Sequence, residues 1–507
     1  MEYRLLKRTR AILIFEDSSP VNRAKLRFRG SANHRRQPYL HRTIPYAASC
    51  YYSSPYYDPS ACATTKPNYY TNQPRTDVYG AATGLNWESC LSQTCALNAR
   101  NTSEALSDEC YLGCLSSLYV NASEARHVVT AVKFAQAHHL RVTIKNTGHD
   151  YFGRSTDLNT LAIWTHNMNT MTYHADFTAS NCTASNVQNI GEIGVGAQAS
   201  DVYTYFQKFN MDLTGGNEGS VGLAGGFGQG GGPDVFSPSY GLMAVNAVKF
   251  DVVTADGQFQ TINQCNDPEL FWTMRGGGGG SFAILTSYRF QLHPAVKINV
   301  YSLLQGWFRA AGQRNYQPRC AGTGSHITRN VPARLPSKAE VYLVLLSNDE
   351  TALKSLSREF SFFLTSQPDI LISESNYTTS RIFEAVASRL IPKSLFETDT
   401  TVSDLISAVL KRVRLSNKVV TQQGALAQVI MTTPVNHQNG NTTSANPGWR
   451  SALWHVIMTG GWTTELPRAE KAVLHESRLD TVEPLKDLAP GGGCFYSECQ
   501  ATFPRTT

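Results

Sequence analysis

Residues 144–156 read IKNTGHDYFGRST and place a histidine between a glycine and an aspartate. The run just before it, RVTI (141–144), has the β-branched, apolar composition of a buried strand. Asn146, Thr147 and Gly148 are typical turn residues, so the segment predicts a strand that ends in a tight polar loop. A loop of this kind can aim one side chain and several backbone amides at the same ligand. His149 is therefore the first candidate functional residue.

The sequence on both sides of this loop alternates between predicted helices and strands. Upstream, NASEARHVVTAVKFAQAHHL (121–140) places its valines on one helical face, with Asn121 or Ser123 as the N-cap. The downstream elements are strands at 161–164, 190–199 and 244–257, a helix near 200–209, and a short helix, a glycine turn and a strand within 267–294. This alternation predicts an α+β or α/β domain over residues 120–294.

The pattern changes after residue 295, where a second domain is predicted. AEVYLVLLS (339–347) alternates like a strand, and helical runs are predicted near 352–365 and 382–411. We expect an α+β domain with an antiparallel sheet.

Three glycine-rich stretches lie in the first predicted domain, at 145–154, 222–232 and 276–280. A backbone that approaches a diphosphate closely favours glycine, which has no Cβ and tolerates positive φ. Gly226, Gly228 and Gly231 match G-x-G-x-x-G, but a proline and an aspartate follow at once instead of a helix, so the match is weak. One such stretch indicates only a flexible loop, whereas three interleaved with strands favour a nucleotide-binding site.

Composition excludes several classes of function. The formal net charge of the 507 residues is +6, but residues 1–45 carry eleven Lys/Arg and three acidic groups, an excess of eight. The rest therefore carries 6 − 8 = −2 and lacks the basic face that nucleic-acid binding needs. No apolar run is long enough to cross a bilayer, and residues 11–15 are too short an apolar run for a signal peptide.

The cysteines and glycosylation sequons favour an oxidising compartment. Six of the eleven cysteines lie between residues 50 and 114, without zinc-site spacing, so we expect disulfides and no metal. Five Asn-x-Ser/Thr sequons fit a secreted chain and also arise by chance: Asn101, Asn121, Asn181, Asn376 and Asn441.

Other roles for His149 are less well supported. An isolated loop histidine is most often exposed or hydrogen-bonded without a catalytic role. A metal site lacks a second histidine at helical spacing, and the His138–His139 pair is placed to cap a helix end. A Ser-His-Asp hydrolase lacks the G-x-S-x-G nucleophile motif.

The span 117–294 resembles the FAD-binding domain of the vanillyl-alcohol-oxidase superfamily, specifically the berberine-bridge-enzyme-like oxidases of fungi. The resemblance rests on YVNASEARHVVTAVKFAQAHHLRVTIKNTGHDYFGRS, GSVGLAGGFGQGGGPDVFSPSYGLMAVNAVKFDVVTADG, DPELFWTMRGGGGGSF and the strand that closes at His293-Pro294. It implies a two-subdomain FAD-binding domain of the PCMH type and a substrate domain.

The resemblance also implies site residues. The histidine of the family's N-T-G-H-D-Y block is bonded to the 8α-methyl carbon of the flavin, so His149 is the expected attachment point. The residues expected near the FAD diphosphate, in the second flavin loop and near the adenine are Lys145, Asn146, Thr147, Gly148, Asp150, Tyr151, Gly153, Arg154, Ser155, Val221, Gly222, Gly225, Gly226, Val252 and Val253. Tyr151, Tyr496 and Glu498 are the candidate catalytic residues.

Two features depart from the family pattern. Relatives with a second flavin bond carry a cysteine where this chain has Glu218 or Gly219, so a single covalent bond is expected. The family's C-terminal segment with its aromatic-x-Asn-Tyr element is matched only around Gly492–Glu498, and residues 306–338 lack the family pattern. The C-terminal segment is interpreted as truncated and residues 306–338 as unspliced intron. Both features indicate either an error in the gene model or a protein with impaired catalysis.

The resulting prediction is an FAD-dependent oxidase, in which a small organic substrate reduces the flavin and dioxygen reoxidises it to give hydrogen peroxide, with a role in fungal secondary metabolism. An impaired flavin-binding protein and a dehydrogenase with another acceptor are the alternatives. We expect a monomer. The expected segments are a basic, disordered or wrongly assigned N-terminus at 1–48, a Cys/Tyr-rich segment at 49–115, the FAD-binding domain at 116–296, the substrate domain at 297–480 and a short C-terminal segment at 481–507.

Overall fold

Secondary structure was taken from a computed structural model of the chain. It describes residues 13–14, 27–28, 39–84, 88, 93–98, 101–105, 108–179, 181–182, 186–296, 298–305, 339–346, 370–371, 383–398, 400–405, 407–408, 426–430, 433–435, 437, 442–462 and 482–495. The chain divides into two units, Met1–Leu40 and His41–Thr507.

The strands are β1 (Leu13–Ile14), β2 (Arg27–Phe28), β3 (Leu40–Arg42), β4 (Leu118–Asn121), β5 (Arg141–Lys145), β6 (Thr160–Trp164), β7 (Met171–Thr178), β8 (Asn186–Gly194), β9 (Met211–Asp212), β10 (Ala247–Val253), β11 (Phe259–Asn263), β12 (Ile284–Gln291), β13 (His293–Pro294), β14 (Ile298–Gln305), β15 (Ala339–Leu346), β16 (Ile370–Leu371), β17 (Phe383–Pro392), β18 (Leu426–Ile430) and β19 (Ala452–Trp462). The α-helices include α1 (Pro59–Asn68), α2 (Asn72–Thr76), α3 (Ala125–Ala137), α4 (Ala199–Gln207), α5 (Ser237–Tyr240) and α6 (Pro268–Met274).

A four-stranded sheet of order β3-β4-β6-β5 carries the histidine loop at one strand end. Its β4, β6 and β5 strands are parallel, as the β4-α3-β5 connection requires. Helix α3 buries Val128, Ala131, Val132 and Ala135, which recur at helical spacing. All five residues of β6 are buried, which fits a central parallel strand.

The predicted N-cap of α3 is wrong. Strand β4 extends through Asn121, and the helix begins at Ala125 with Glu124 as the N-cap residue and no capping side-chain bond. Ser123 instead donates its backbone N–H to His127 Nδ1 at 3.3 Å, so both expected caps are used elsewhere.

A five-stranded antiparallel sheet of order β11-β10-β12-β8-β7 follows. Its inner face buries Ile193, Phe250, Tyr288 and Phe290 completely or nearly so, and α4 packs Phe206 against Phe290. The strand predicted at 190–199 lies earlier in the chain than expected, since β8 begins at Asn186 and ends at Gly194. Together the two sheets form an α+β domain, and the fold class predicted from the sequence is confirmed.

Further antiparallel sheets lie beyond residue 297, of orders β15-β14-β16 and β17-β19-β18. The helical run predicted at 382–411 is wrong in its first part, since β17 is a strand that pairs with β19 along its length. Among the described residues of that run, a 3-10 helix lies at Lys393–Phe396 and α-helical residues lie at 400–405 and 407–408. The helix predicted at 352–365 lies outside the described residues.

Among the described disulfides, one joins residues 83 positions apart and two close loops of 12 and 15 positions. The described pairs are Cys50–Cys62, Cys95–Cys110 and Cys182–Cys265, and Cys114 and Cys494 are also disulfide-bonded. The expected disulfides are therefore present. None of the helices in the described segments is long and apolar enough to span a membrane.

Candidate functional site

The first glycine stretch, residues 145–154, leaves the end of β5 and turns sharply at Gly148, whose φ is +87°. Thr83 fixes this turn, because its backbone N–H and its hydroxyl both donate to Gly148 O, at 3.2 and 2.8 Å. Asn146 Nδ2 donates to Val195 O at 2.5 Å, and Trp164 Nε1 donates to Asn146 O at 3.0 Å. The loop is therefore anchored on both sides before His149.

The second glycine stretch packs directly on the first. Gly222 N donates to Thr147 Oγ1 at 3.3 Å, and a Cβ added at Gly222 would collide with Asn146 Oδ1. A Cβ at Gly225 would lie 3.1 Å from Asn146 Cγ. Gly226 differs, because it is exposed and a Cβ there would meet no protein atom within 4 Å. Glycine is thus required at 222 by close packing, whereas Gly226 faces open space.

The third stretch, Gly276–Gly280, is hydrogen-bonded to Gln229 of the second. Gly276 N and Gly278 N both donate to Gln229 O at 2.9 Å, and Gln229 Nε2 donates to Ala224 O and Gly225 O at 3.0 and 3.1 Å. A Cβ at Gly279 would stand 2.9 Å from Gly226 Cα. All three stretches therefore meet. Sequence reasoning missed Gln229, since an isolated glutamine in a glycine run carries no distinguishing pattern.

His149 is half-buried and contacts Ser220, just before the second stretch. Its Nε2 lies 2.8 Å from Ser220 Oγ, and Ser220 Oγ lies 2.8 Å from Glu218 Oε1. Burial lowers the pKa of His149 to about 4, and the opposing effect of nearby Glu218 is smaller. The imidazole is therefore neutral near pH 7. Sequence reasoning missed Ser220, which lies 71 positions away from His149.

Lys145 is placed differently from what the resemblance implied for a diphosphate ligand. Its side chain is 2% exposed, and Nζ donates to Val78 O, Tyr79 O and Ala81 O at 2.9, 2.9 and 2.5 Å. Burial is the main cause that lowers the pKa of Lys145, to about 7. Three carbonyl acceptors match the three hydrogens of an ammonium group and favour the charged form. The Lys145 side chain thus binds the segment 78–81.

Asp150 and Arg154 form a local pair on the far side of the histidine. Arg154 N donates to Asp150 Oδ2 at 2.7 Å, and the guanidinium also contacts the Asp150 carboxylate. Gly153, with a φ of +73°, makes this turn possible. Tyr151 and Ser155 flank it, half-buried.

The other site residues predicted from the sequence differ in how deeply their side chains are buried. Val221 accepts a hydrogen bond from Ala199 N at 2.9 Å, which joins the second stretch to the start of α4. Val252 and Val253 are fully buried in β10. Tyr496 and Glu498 lie outside the described residues.

Comparisons with known proteins agree with this geometry. A protein family described as FAD binding domain matches residues 116–263. FAD-linked oxidoreductase penH of Penicillium thymicola is 30% identical over 444 residues, which cover 82% of this chain and 74% of that protein. The crystal structure of the VAO-type flavoprotein MtVAO615 from Myceliophthora thermophila C1 matches with a TM-score of 0.72 at 25% identity, over 92% of this chain and 86% of that one.

A more distant match supports the fold alone. Glucooligosaccharide oxidase from Acremonium strictum has a TM-score of 0.58 at 17% identity, and the match covers 76% of this chain and 84% of that one. The fold, the three convergent glycine stretches and the relatives lead to one conclusion: the chain belongs to the FAD-linked oxidoreductases of the vanillyl-alcohol-oxidase superfamily, in the berberine-bridge-enzyme-like group.

Proposed function

We propose that this protein is an oxidase that carries FAD covalently on His149 and passes electrons from a small organic substrate to dioxygen, with release of hydrogen peroxide. The observation that carries the proposal is the half-buried His149, whose Nε2 lies 2.8 Å from Ser220 Oγ beside the contact between the first two glycine stretches and whose imidazole burial keeps neutral. A nitrogen that forms a bond to carbon must offer a lone pair, and a neutral imidazole has one.

The residues fit an FAD diphosphate and ring. Gly222 and Gly225 let the two loops approach closely, and Gly226 leaves open space beside them. Asn146 Oδ1 is buried and has no hydrogen-bond partner within the described part of the chain, so it is available as an acceptor for a bound group. FAD, when bound, supplies a ring that accepts a hydride from a substrate carbon.

The backbone N–H groups of Asn146 to Gly148 and of Gly226 would bind the diphosphate. Gly222 and Gly225, whose N–H groups already donate to Thr147 Oγ1 and Gly222 O, would hold the second loop in place, and Asp150 and Arg154 would shape the first. Val252 and Val253 would support the adenine end from within the sheet. Lys145 would act indirectly, because its ammonium group holds segment 78–81 against the loop.

A single covalent bond is proposed. The Acremonium strictum oxidase is described as carrying a 6-S-cysteinyl, 8α-N1-histidyl FAD. In the corresponding segment of this chain, Glu218, Gly219 and Ser220 offer no thiol.

The substrate domain, residues 297–480, would cover the ring and set specificity. Tyr151, Tyr496 and Glu498 are the proposed proton acceptors, since tyrosine and glutamate serve as bases when their surroundings shift their pKa. We further propose a monomer that acts in fungal secondary metabolism and is secreted, a location that the disulfides support.

One experiment on the purified protein tests the proposal. Its absorption spectrum is recorded before and after acid precipitation, and yellow colour that stays with the pellet is expected. Oxygen uptake and peroxide release are then measured against a panel of sugars, alcohols and amines. Flavin that leaves the pellet contradicts the covalent link. Substrate-dependent flavin reduction without oxygen uptake identifies a dehydrogenase, and absence of reduction by every substrate favours the impaired protein.

A further inference from the structure

A chain of two hydrogen bonds connects Glu218 to His149 through Ser220. Ser220 Oγ lies 2.8 Å from Glu218 Oε1 and 2.8 Å from His149 Nε2. The Ser220 backbone N–H also donates to Glu218 Oε1, at 3.3 Å. Ser220 is 3% exposed, so its hydroxyl is fixed by these partners more than by water.

The direction of both bonds follows from the number of hydrogens available. A carboxylate only accepts, and a serine hydroxyl has one hydrogen. The Ser220 hydrogen is therefore directed to Glu218, and Ser220 Oγ must accept from His149. His149 consequently bears its proton on Nε2 and its lone pair on Nδ1.

We propose that Ser220 and Glu218 are positioning residues for flavin attachment, which select the His149 tautomer with Nδ1 unprotonated and receive the Nε2 proton as the bond forms. The inference rests on the proposed covalent link to FAD. It assigns a role to the segment in which doubly linked relatives have a cysteine.

The surrounding charges are consistent with this assignment. Burial and the nearby Lys145 both lower the pKa of His149, whereas Glu218 raises it, and the outcome is a pKa of about 4. The ring is thus neutral over the physiological pH range. Glu218 is exposed, so a proton that reaches it can pass to water.

The attachment step balances with dioxygen as the oxidant. The bond from Nδ1 to the 8α-methyl carbon replaces one methyl C–H bond, and the Nε2–H bond breaks as well. Two protons and two electrons are released, and they leave with dioxygen as hydrogen peroxide. On the protein, the Nε2 proton moves to Ser220 Oγ as the Ser220 proton moves to Glu218.

The test measures the rate of covalent flavin attachment and not the rate of catalytic turnover. Full-length protein is produced under riboflavin limitation, mixed with FAD in aerated buffer, and the flavinylated fraction is followed by intact mass. The variants are Ser220→Ala, Glu218→Gln and Ser220→Thr. The controls are Ser239→Ala at the exposed end of α5 and Glu269→Gln in the exposed first turn of α6. Reversible FAD binding is measured in parallel, by ultrafiltration, as the check of folding.

We expect attachment to slow roughly tenfold or more in Ser220→Ala and Glu218→Gln, with reversible FAD binding retained, because a positioned proton acceptor is lost. Ser220→Thr keeps a hydroxyl and should attach FAD near the wild-type rate, as should both controls. Digestion of the wild-type protein should give the Nδ1-linked histidyl flavin. Wild-type rates in Ser220→Ala and Glu218→Gln, or an Nε2-linked flavin, would overturn the inference while the covalent link stands. Absence of any covalent flavin in the wild-type protein would instead refute the proposed function.

Discussion

Asn146 Oδ1 occupies the space that a Cβ of Gly222 would need, so the first and second glycine stretches are in direct contact at this pair. The contact joins a residue directly after β5 to a residue 76 positions later. It explains why a glycine is required at position 222 by packing, although its φ is not in the left-handed region.

The two glycines of the second loop should therefore respond differently to alanine. Gly222→Ala should lower the free energy of unfolding by about 1 to 3 kcal/mol, since overpacking a buried contact costs that much. Gly226→Ala should leave the free energy of unfolding of FAD-free protein nearly unchanged, because the added Cβ would meet no protein atom within 4 Å. Its reversible affinity for FAD should fall about tenfold or more if the diphosphate occupies that space, about 1.4 kcal/mol. Urea unfolding and FAD titration measure the two effects, and unaltered FAD affinity in Gly226→Ala would argue against this placement.

His149→Ala should abolish covalent flavin while leaving some reversible binding. The imidazole is the only proposed attachment group, and the glycine loops that we propose hold the diphosphate stay intact. The measurement is the flavin content of the acid precipitate, confirmed by intact mass. His139→Asn is the matched control, because His139 has a φ of +54° and asparagine tolerates that conformation. Equal non-dissociable flavin in His149→Ala and wild type would remove the proposed tether.

Lys145→Met should destabilise the protein by about 3 kcal/mol, because three buried carbonyls lose their hydrogen-bond donor at once. The loss should appear as a lower urea midpoint with little change in slope. Lys133→Met, on the exposed face of α3, provides the control for loss of a lysine charge. A Lys145→Met protein as stable as the control would mean that these three hydrogen bonds contribute little.

His293 should make stability depend on pH between about 6.5 and 4. Burial, aided by His437, lowers the pKa of His293 from 6.5 to about 4 in the folded chain. The unfolded chain therefore binds more protons in this window, so stability falls as pH falls from 6.5 towards 4, by at most about 1.4 kcal/mol per pH unit. Thermal unfolding at pH 7 and pH 4.5 should show a smaller loss for His293→Asn than for wild type. His127, His149 and His166, whose pKa values are also lowered, contribute equally to both proteins. An equal loss in the two proteins would exclude His293 as a contributor.

Local sequence predicted much of the flavin domain. Strand β5 with its turn, helix α3 and strand β6 each have a self-contained pattern of apolar residues and turn residues, so their existence could be read from short windows. Their exact ends could not, as the displaced cap of α3 and the shifted limits of β8 demonstrate. These ends depend on hydrogen bonds made with neighbouring elements.

The error at 382–411 has a different cause. FEAVASRLIP contains residues that suit either a helix or a strand, and pairing with β19 decides between them. Helix propensity differs by only a few tenths of a kcal/mol per residue among ordinary residues, so a full ladder of tertiary hydrogen bonds overrides it.

The sequence by itself determined the family, the glycine stretches and the candidate role of His149, because each depends on residue types within a short segment. Only the tertiary structure decided that Ser220 contacts the imidazole, that Gly222 packs on Asn146, and that Lys145 turns towards segment 78–81. These contacts join residues about 65 to 75 positions apart, and their geometry is set by how the two sheets and their loops pack together, which no local pattern encodes.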